Sequence, residues 1–162
     1  MQKIRNYFTV ALVITCLFSL AVADAQQKGS DHGAGGKKKS SVESPAECKQ
    51  CGMDRSAFNY SRAVVTYEDG SSSGTCSINC AHNDVGKNLA KKIKSIQVAD
   101  YETKKLIDAK TAVWVVGGKK GGVMSPVAKW AFAKKRAAEK YVGEFGGRIT
   151  VFDDAWKASA GS

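Results

Sequence analysis

Two close cysteine pairs constrain this chain more than anything else in it. They are Cys48-Lys49-Gln50-Cys51, followed at once by Gly52-Met53, and Cys76-Ser77-Ile78-Asn79-Cys80. Thiols at two- and three-residue spacing can converge on one metal ion, and a fold that gathers them must bring two distant segments together. Gly52 gives the backbone freedom to turn around an ion. Cys76 and Cys80 are four apart, so on a starting helix both point the same way. The methionine fused to the first pair matters as well. A thioether favours soft, monovalent copper over zinc.

The compartment shapes how these sulfurs are read. Lys3 and Arg5 charge the N-terminus, an apolar run follows through residues 7–22, and Ala23-Asp24-Ala25 is an A-x-A cleavage site. A run of about 16 residues is short of the about 20 a spanning helix needs. We therefore expect a signal peptide over residues 1–25, cleavage after Ala25, and a mature chain exported to the periplasm. Cys16 lies inside the run, and Thr15 before it does not suit a lipidation site. Its removal leaves four cysteines, an even number, in an oxidising space, so two disulfides are a competing reading.

Three readings of the sulfurs follow. In the first, Cys48, Cys51, Cys76 and Cys80 hold zinc as four thiolates. In the second, they form two structural disulfides. In the third, some of these thiols bind copper(I) together with Met53 or Met124. A thioether has no proton to lose and cannot form a disulfide, which suits metal delivery in an oxidising space. His82 near the second pair offers an imidazole, but an isolated histidine there reads first as a surface residue. No nucleophile elbow, phosphate loop or histidine pair for hydrolysis is present, so no enzyme is expected. A thioredoxin-type dithiol belongs at a strand-to-helix junction, whereas this C-x2-C precedes the first strand.

Around these motifs the chain divides into a tail and two similar halves. Residues 26–44 are rich in Gly, Ser, Gln and Lys and read as a flexible tail, His32 included. In the first unit, residues 45–103, Ala63-Val64-Val65-Thr66-Tyr67 is a strand and Glu68-Asp69-Gly70 a turn. Residues 72–76 return as a strand, a helix covers 78–92, and 95–99 is a strand. In the second unit, residues 104–157, Ala112-Val113-Trp114-Val115-Val116 is a strand and the turn spans 117–122. Val123-Met124 begins the return, a helix covers 127–145, and 148–152 closes as a strand. The expected fold class is α+β, two ββαβ units offset by about 50 residues as an internal duplication. In that alignment Cys76 matches Met124.

The formal net charge of +10 favours an acidic partner or peripheral contact with anionic lipid. Export argues against nucleic acid as that partner.

The order of several segments resembles the NosL family, accessory proteins of nitrous-oxide reductase. The likeness runs from Cys48 to Met53, through Tyr67-Glu68-Asp69-Gly70, Val98-Ala99-Asp100-Tyr101-Glu102-Thr103 and Ile107-Asp108-Ala109. It continues through Ala112 to Gly117, Gly122-Val123-Met124, Ala131-Phe132-Ala133, Gly146-Gly147 and Phe152. The resemblance implies an exported copper(I)-binding protein of two related ββαβ units. Its partner would be a client copper enzyme, nitrous-oxide reductase, or the machinery that assembles it. The chain departs from the family in lacking a lipidation site, and Cys76 and Cys80 are not carried over from it. The cysteine motifs also resemble the short YHS and TRASH metal-binding modules, which likewise implies a metal.

Overall fold

The computed structural model describes residues 42–160. The expected signal peptide, its cleavage site and most of the tail lie outside these residues. The architecture is α+β, with two small antiparallel sheets and three helices among the described residues. The first sheet has the order β2-β1-β3-β4, built from β1 (Ala63–Tyr67), β2 (Ser72–Thr75), β3 (Ile93–Ala99) and β4 (Leu106–Asp108). The second has the order β6-β5-β7, from β5 (Val113–Val116), β6 (Lys129–Phe132) and β7 (Arg148–Thr150). Helix α1 is Ile78–Lys87, α2 is Lys135–Phe145 and α3 is Phe152–Lys157.

The β1–β2 hairpin closes where the turn residues place it. Gly70 sits at φ 83°, and the Asp69 carboxylate accepts from the Ser71 backbone N–H at 2.8 Å. Strand β1 alternates strictly, with Ala63, Val65 and Tyr67 buried. It takes β2 on one side and β3 on the other, with Ala63 opposite both Thr75 and Val98.

The second sheet lies between two cores. Trp114 and Ala131 face a core shared with Val65, Ile96, Val98, Ile78 and Phe152. Val115, Trp130 and Phe132 face the other way, onto Ala138 and Tyr141 of α2. All four residues of β6 are therefore buried.

This corrects the expected helix over 127–145. A strand buried on both faces loses its apolar–polar alternation and reads like one side of a helix. The return strand is residues 129–132 rather than 123–124, and α2 starts only at Lys135. Helix α1 also ends earlier than expected. The Asn88 side chain caps the Asp84 carbonyl at 2.8 Å, and Ile93 is drawn into β3 opposite Tyr67. The last expected strand stops at Thr150, because Phe152 turns into α3 and packs on Trp114 at 6.2 Å between ring centroids. Two short elements, β4 and α3, have no counterpart in the sequence reading. The alignment of Cys76 with Met124 also changes. Thr75 and Phe132 end their strands opposite Ala63 and Val113, so the residue matching Cys76 is Ala133.

Asp100 joins the two sheets. It is buried, bridges to Ala131, and its carboxylate accepts from the Ala133 N–H at 3.0 Å and the Thr103 N–H at 3.0 Å. Burial pushes its carboxyl pKa up, but the Thr103 hydroxyl and the backbone N–H donors outweigh that and hold it below the usual value. A lowered folded pKa stabilises the protein above the ordinary carboxylate range, and that stability is lost as pH falls through the lower folded value. Asp100→Ala leaves these donors unpaired and is expected to cost about 2–3 kcal/mol at neutral pH. Urea unfolding at pH 7 and pH 3 checks this, with a smaller difference between variant and native chain at the lower pH.

Candidate metal centre

The first cysteine pair is carried on a tight loop ahead of β1. Glu47 and Asp54 pair as an isolated antiparallel bridge at its base. Inside it the Cys48 N–H donates to the Met53 carbonyl at 2.8 Å, and the Gly52 N–H donates to the Cys48 carbonyl at 2.8 Å. Gly52 stands at φ 77°, the left-handed conformation that lets the chain double back. Lys49 N–H then bonds the Gly74 carbonyl at 2.9 Å, which staples the loop to β2.

The second pair sits where β2 gives way to α1. Ser77 is the N-cap, and its hydroxyl accepts from the Cys80 N–H at 3.2 Å. Cys76 lies just before the helix, its carbonyl bonded by the Ser61 hydroxyl at 2.8 Å. Cys80 lies in the first helical turn, where the helix dipole favours a thiolate.

Together these elements bring the four sulfurs to one point, all within 4.8 Å of one another. Cys51 to Cys76 is 3.6 Å, Cys76 to Cys80 is 3.6 Å, and Cys80 to Cys51 is 3.8 Å. Thiolates bonded at about 2.3 Å to a tetrahedral ion stand about 3.8 Å apart, close to the three separations among Cys51, Cys76 and Cys80, with Cys48 within reach as a fourth donor. All four cysteines are free thiols. Cys48, Cys76 and Cys80 are buried, and Cys51 is half-buried.

The thiols are electrostatically unlike. A hydrogen bond from the Cys76 thiol lowers the Cys80 pKa to about 6, with help from Ser77 and against the effect of burial. Cys76 is pushed up, first because it gives its proton to Cys80 and then by burial. Burial raises Cys51 to about 11. Of these three thiols Cys80 gives up its proton most readily, and binding of a metal to thiolates displaces protons.

Of the two expected methionines, Met53 packs against the thiols beside Phe58 and Val123. Met124 is exposed on the loop between β5 and β6 at φ 54°, and its carbonyl accepts from the side-chain amide of Asn79, the residue before Cys80, at 2.6 Å. His82 is half-buried against Trp156, with ring centroids 4.9 Å apart, and does not join the thiols.

Several supporting residues were not legible from the sequence. Arg55, fully buried, is the largest. Its guanidinium donates to the Thr75 carbonyl at 3.2 Å, to the Glu43 carbonyl at 2.9 Å, to the Pro45 carbonyl and to the Glu43 carboxylate. Glu43, placed by the sequence in the tail, also pairs with Arg62 at 3.1 Å. Gly74 lets the guanidinium pass, because a Cβ there would stand 2.6 Å from Arg55 Nη1. A lone arginine after a C-G-M motif carries no local signal of burial.

Comparison with known proteins agrees with this architecture. No curated protein sequence matches the chain. The crystal structure of the copper chaperone NosL from Shewanella denitrificans matches with a TM-score of 0.55 at 22% identity, covering 70% of this chain and 91% of that one. At that identity the likeness speaks for the fold alone. The sequence profile of the NosL family matches residues 39–160, three-quarters of the chain and all but its N-terminal segment and last two residues, and so the chain belongs to the NosL family.

Proposed function

We propose that this protein is an exported copper(I)-binding chaperone that passes its metal to an apo-enzyme, with nitrous-oxide reductase as the client. The observation that carries the reading is the convergence of four free thiols within 4.8 Å, with the Met53 side chain packed against them. Thiolates supply affinity, and thioethers bias the site toward copper(I) without offering a disulfide partner. The metal is cargo here, so the protein binds and delivers and is not an enzyme.

Delivery needs an exposed donor. Cys51 is the half-buried thiol, with Met53 beside it, and Met124 is exposed on a loop held to the residue preceding Cys80. This face is where ligand exchange with a partner would begin. The periplasm, cleavage after Ala25 and the identity of the client rest on the leader and on the family resemblance. The shared β-β-α-β order of the two halves supports an origin by internal duplication.

One specific observation favours a second reading. The near-equal sulfur spacing also suits a tetrahedral zinc thiolate in a sequestering or sensing module of the YHS/TRASH kind. The double variant Met53→Leu/Met124→Leu separates the two. We expect its copper(I) affinity to fall by at least about tenfold, with zinc affinity unchanged, in anaerobic competition with a chromogenic chelator. Unchanged copper affinity removes the thioethers from the site and leaves zinc the better reading.

A further inference from the structure

Lys129 is a buried cation with no ion-pair partner among the described residues. It opens β6 and is only 6% exposed. Its ammonium donates to the Ser125 hydroxyl at 2.8 Å, the Val127 carbonyl at 3.3 Å and the Asn79 side-chain oxygen at 3.4 Å. All three acceptors are neutral, and none of the ion pairs among the described residues includes Lys129. Burial alone holds its pKa below the usual lysine value. A cation kept from water with only dipoles around it is costly, and such charges are normally paired.

The position of the residue supplies the missing partner. Asn79 is the second residue of α1 and directly precedes Cys80. Its other side-chain atom, the amide nitrogen, holds the Met124 carbonyl. Lys129 is therefore one amide away from both the helical turn that carries Cys80 and the loop that carries Met124. The thiol centre is also where negative charge is created. Four thiols that lose their protons to a monovalent cation leave an excess of three negative charges, and to a divalent cation an excess of two.

We infer that Lys129 is the internal counter-charge of the metal-loaded thiolate centre, acting across Asn79 while it fixes the Met124 loop. The inference rests on the metal reading above. Lys129 is a positioning and electrostatic residue, not a ligand. Its hydrogen bonds explain how a lysine is held, and its charge explains why a lysine is there.

Lys129→Gln tests this, since glutamine keeps hydrogen bonding to Asn79 and Ser125 without the charge. Copper(I) and cadmium are titrated anaerobically into the intact protein while the thiolate-to-metal absorption band is followed across pH. We expect Lys129→Gln to weaken both metals by about tenfold and to move the midpoint of band formation to higher pH. Lys129→Arg should restore both. A merely structural lysine would not move the pH midpoint in a variant whose circular dichroism is native, and that result overturns the inference. Lys129→Met, apolar and of similar length, provides the same readout if glutamine disturbs the fold. Native protein that binds neither metal overturns the metal reading and this inference with it. Native binding matched equally by Lys129→Gln overturns the inference alone.

Discussion

Cys76→Ser is expected to reduce copper(I) affinity by more than about a hundredfold. Loss of a group that merely supports a metal ligand already costs about 10- to 100-fold, and here a donor itself is removed. Cys76 is the hub of the sulfur set, fully buried and 3.6 Å from both Cys51 and Cys80. Serine is nearly the same shape but offers a hard, neutral oxygen, which soft copper(I) binds poorly. The fold should survive, because the Cys76 backbone stays held through its carbonyl by Ser61 whatever the side chain. The buried hydroxyl costs about 1–3 kcal/mol if it finds no partner. Cys76 also holds down the Cys80 pKa by donating to it, so the variant thiolate should form at higher pH unless the serine hydroxyl takes over that role. Competition with a copper(I) chelator under argon, beside a thermal melt, measures both effects. An affinity within threefold of the native chain would mean that the four thiols do not share one ion.

Arg55→Met is expected to destabilise the fold by about 3–5 kcal/mol and to weaken metal binding at the same time. The guanidinium ties together three pieces of chain: residues 43–45, the base of the cysteine loop and the β1–β2 hairpin. Removing it strands four carbonyls and leaves Glu43 with Arg62 alone. Burial raises the Glu43 pKa, but its own backbone N–H, the Arg62 hydrogen bond and both guanidinium charges lower it further, so it lies below the ordinary value. The sign of the pH dependence follows. A depressed carboxylate pKa stabilises the fold at neutral pH, and that contribution is lost as pH falls through the folded value. The gap between Arg55→Met and the native chain should therefore narrow in acid. Chemical denaturation across pH 3–7 measures it. Loss of stability with unchanged metal affinity would show that the cysteine loop keeps its place without the arginine.

The parts of this protein that were legible in its sequence are those with local causes. The β1 strand shows its alternation, Glu68-Asp69-Gly70 its turn chemistry, and the cysteine spacing its convergence. Illegible parts depend on tertiary context. Strand β6 hides inside a helix-like run because Ala131 faces one core while Trp130 and Phe132 face another. Three-residue β4 is an edge strand defined mainly by pairing with β3. Arg55, Glu43, Asn79 and Lys129 gain their roles from partners far along the chain, and no spacing rule relates Lys129 to Asn79 or Arg55 to Thr75. The site shows the same division. Four cysteines could be named from the sequence, but not that Cys51 alone of the four stays partly open or that the Met124 carbonyl is tied to Asn79 beside Cys80.

The central claim is that Cys48, Cys51, Cys76 and Cys80 act as one soft-metal site that carries copper(I). Metal analysis of the protein, purified without oxygen from a copper-supplied periplasm and paired with a count of alkylatable thiols, tests it most directly. The account predicts one equivalent of copper(I), with all four thiols shielded from alkylation until a copper chelator is added. Protein with neither metal nor alkylatable thiols, or with one equivalent of zinc that copper(I) does not displace, would contradict it.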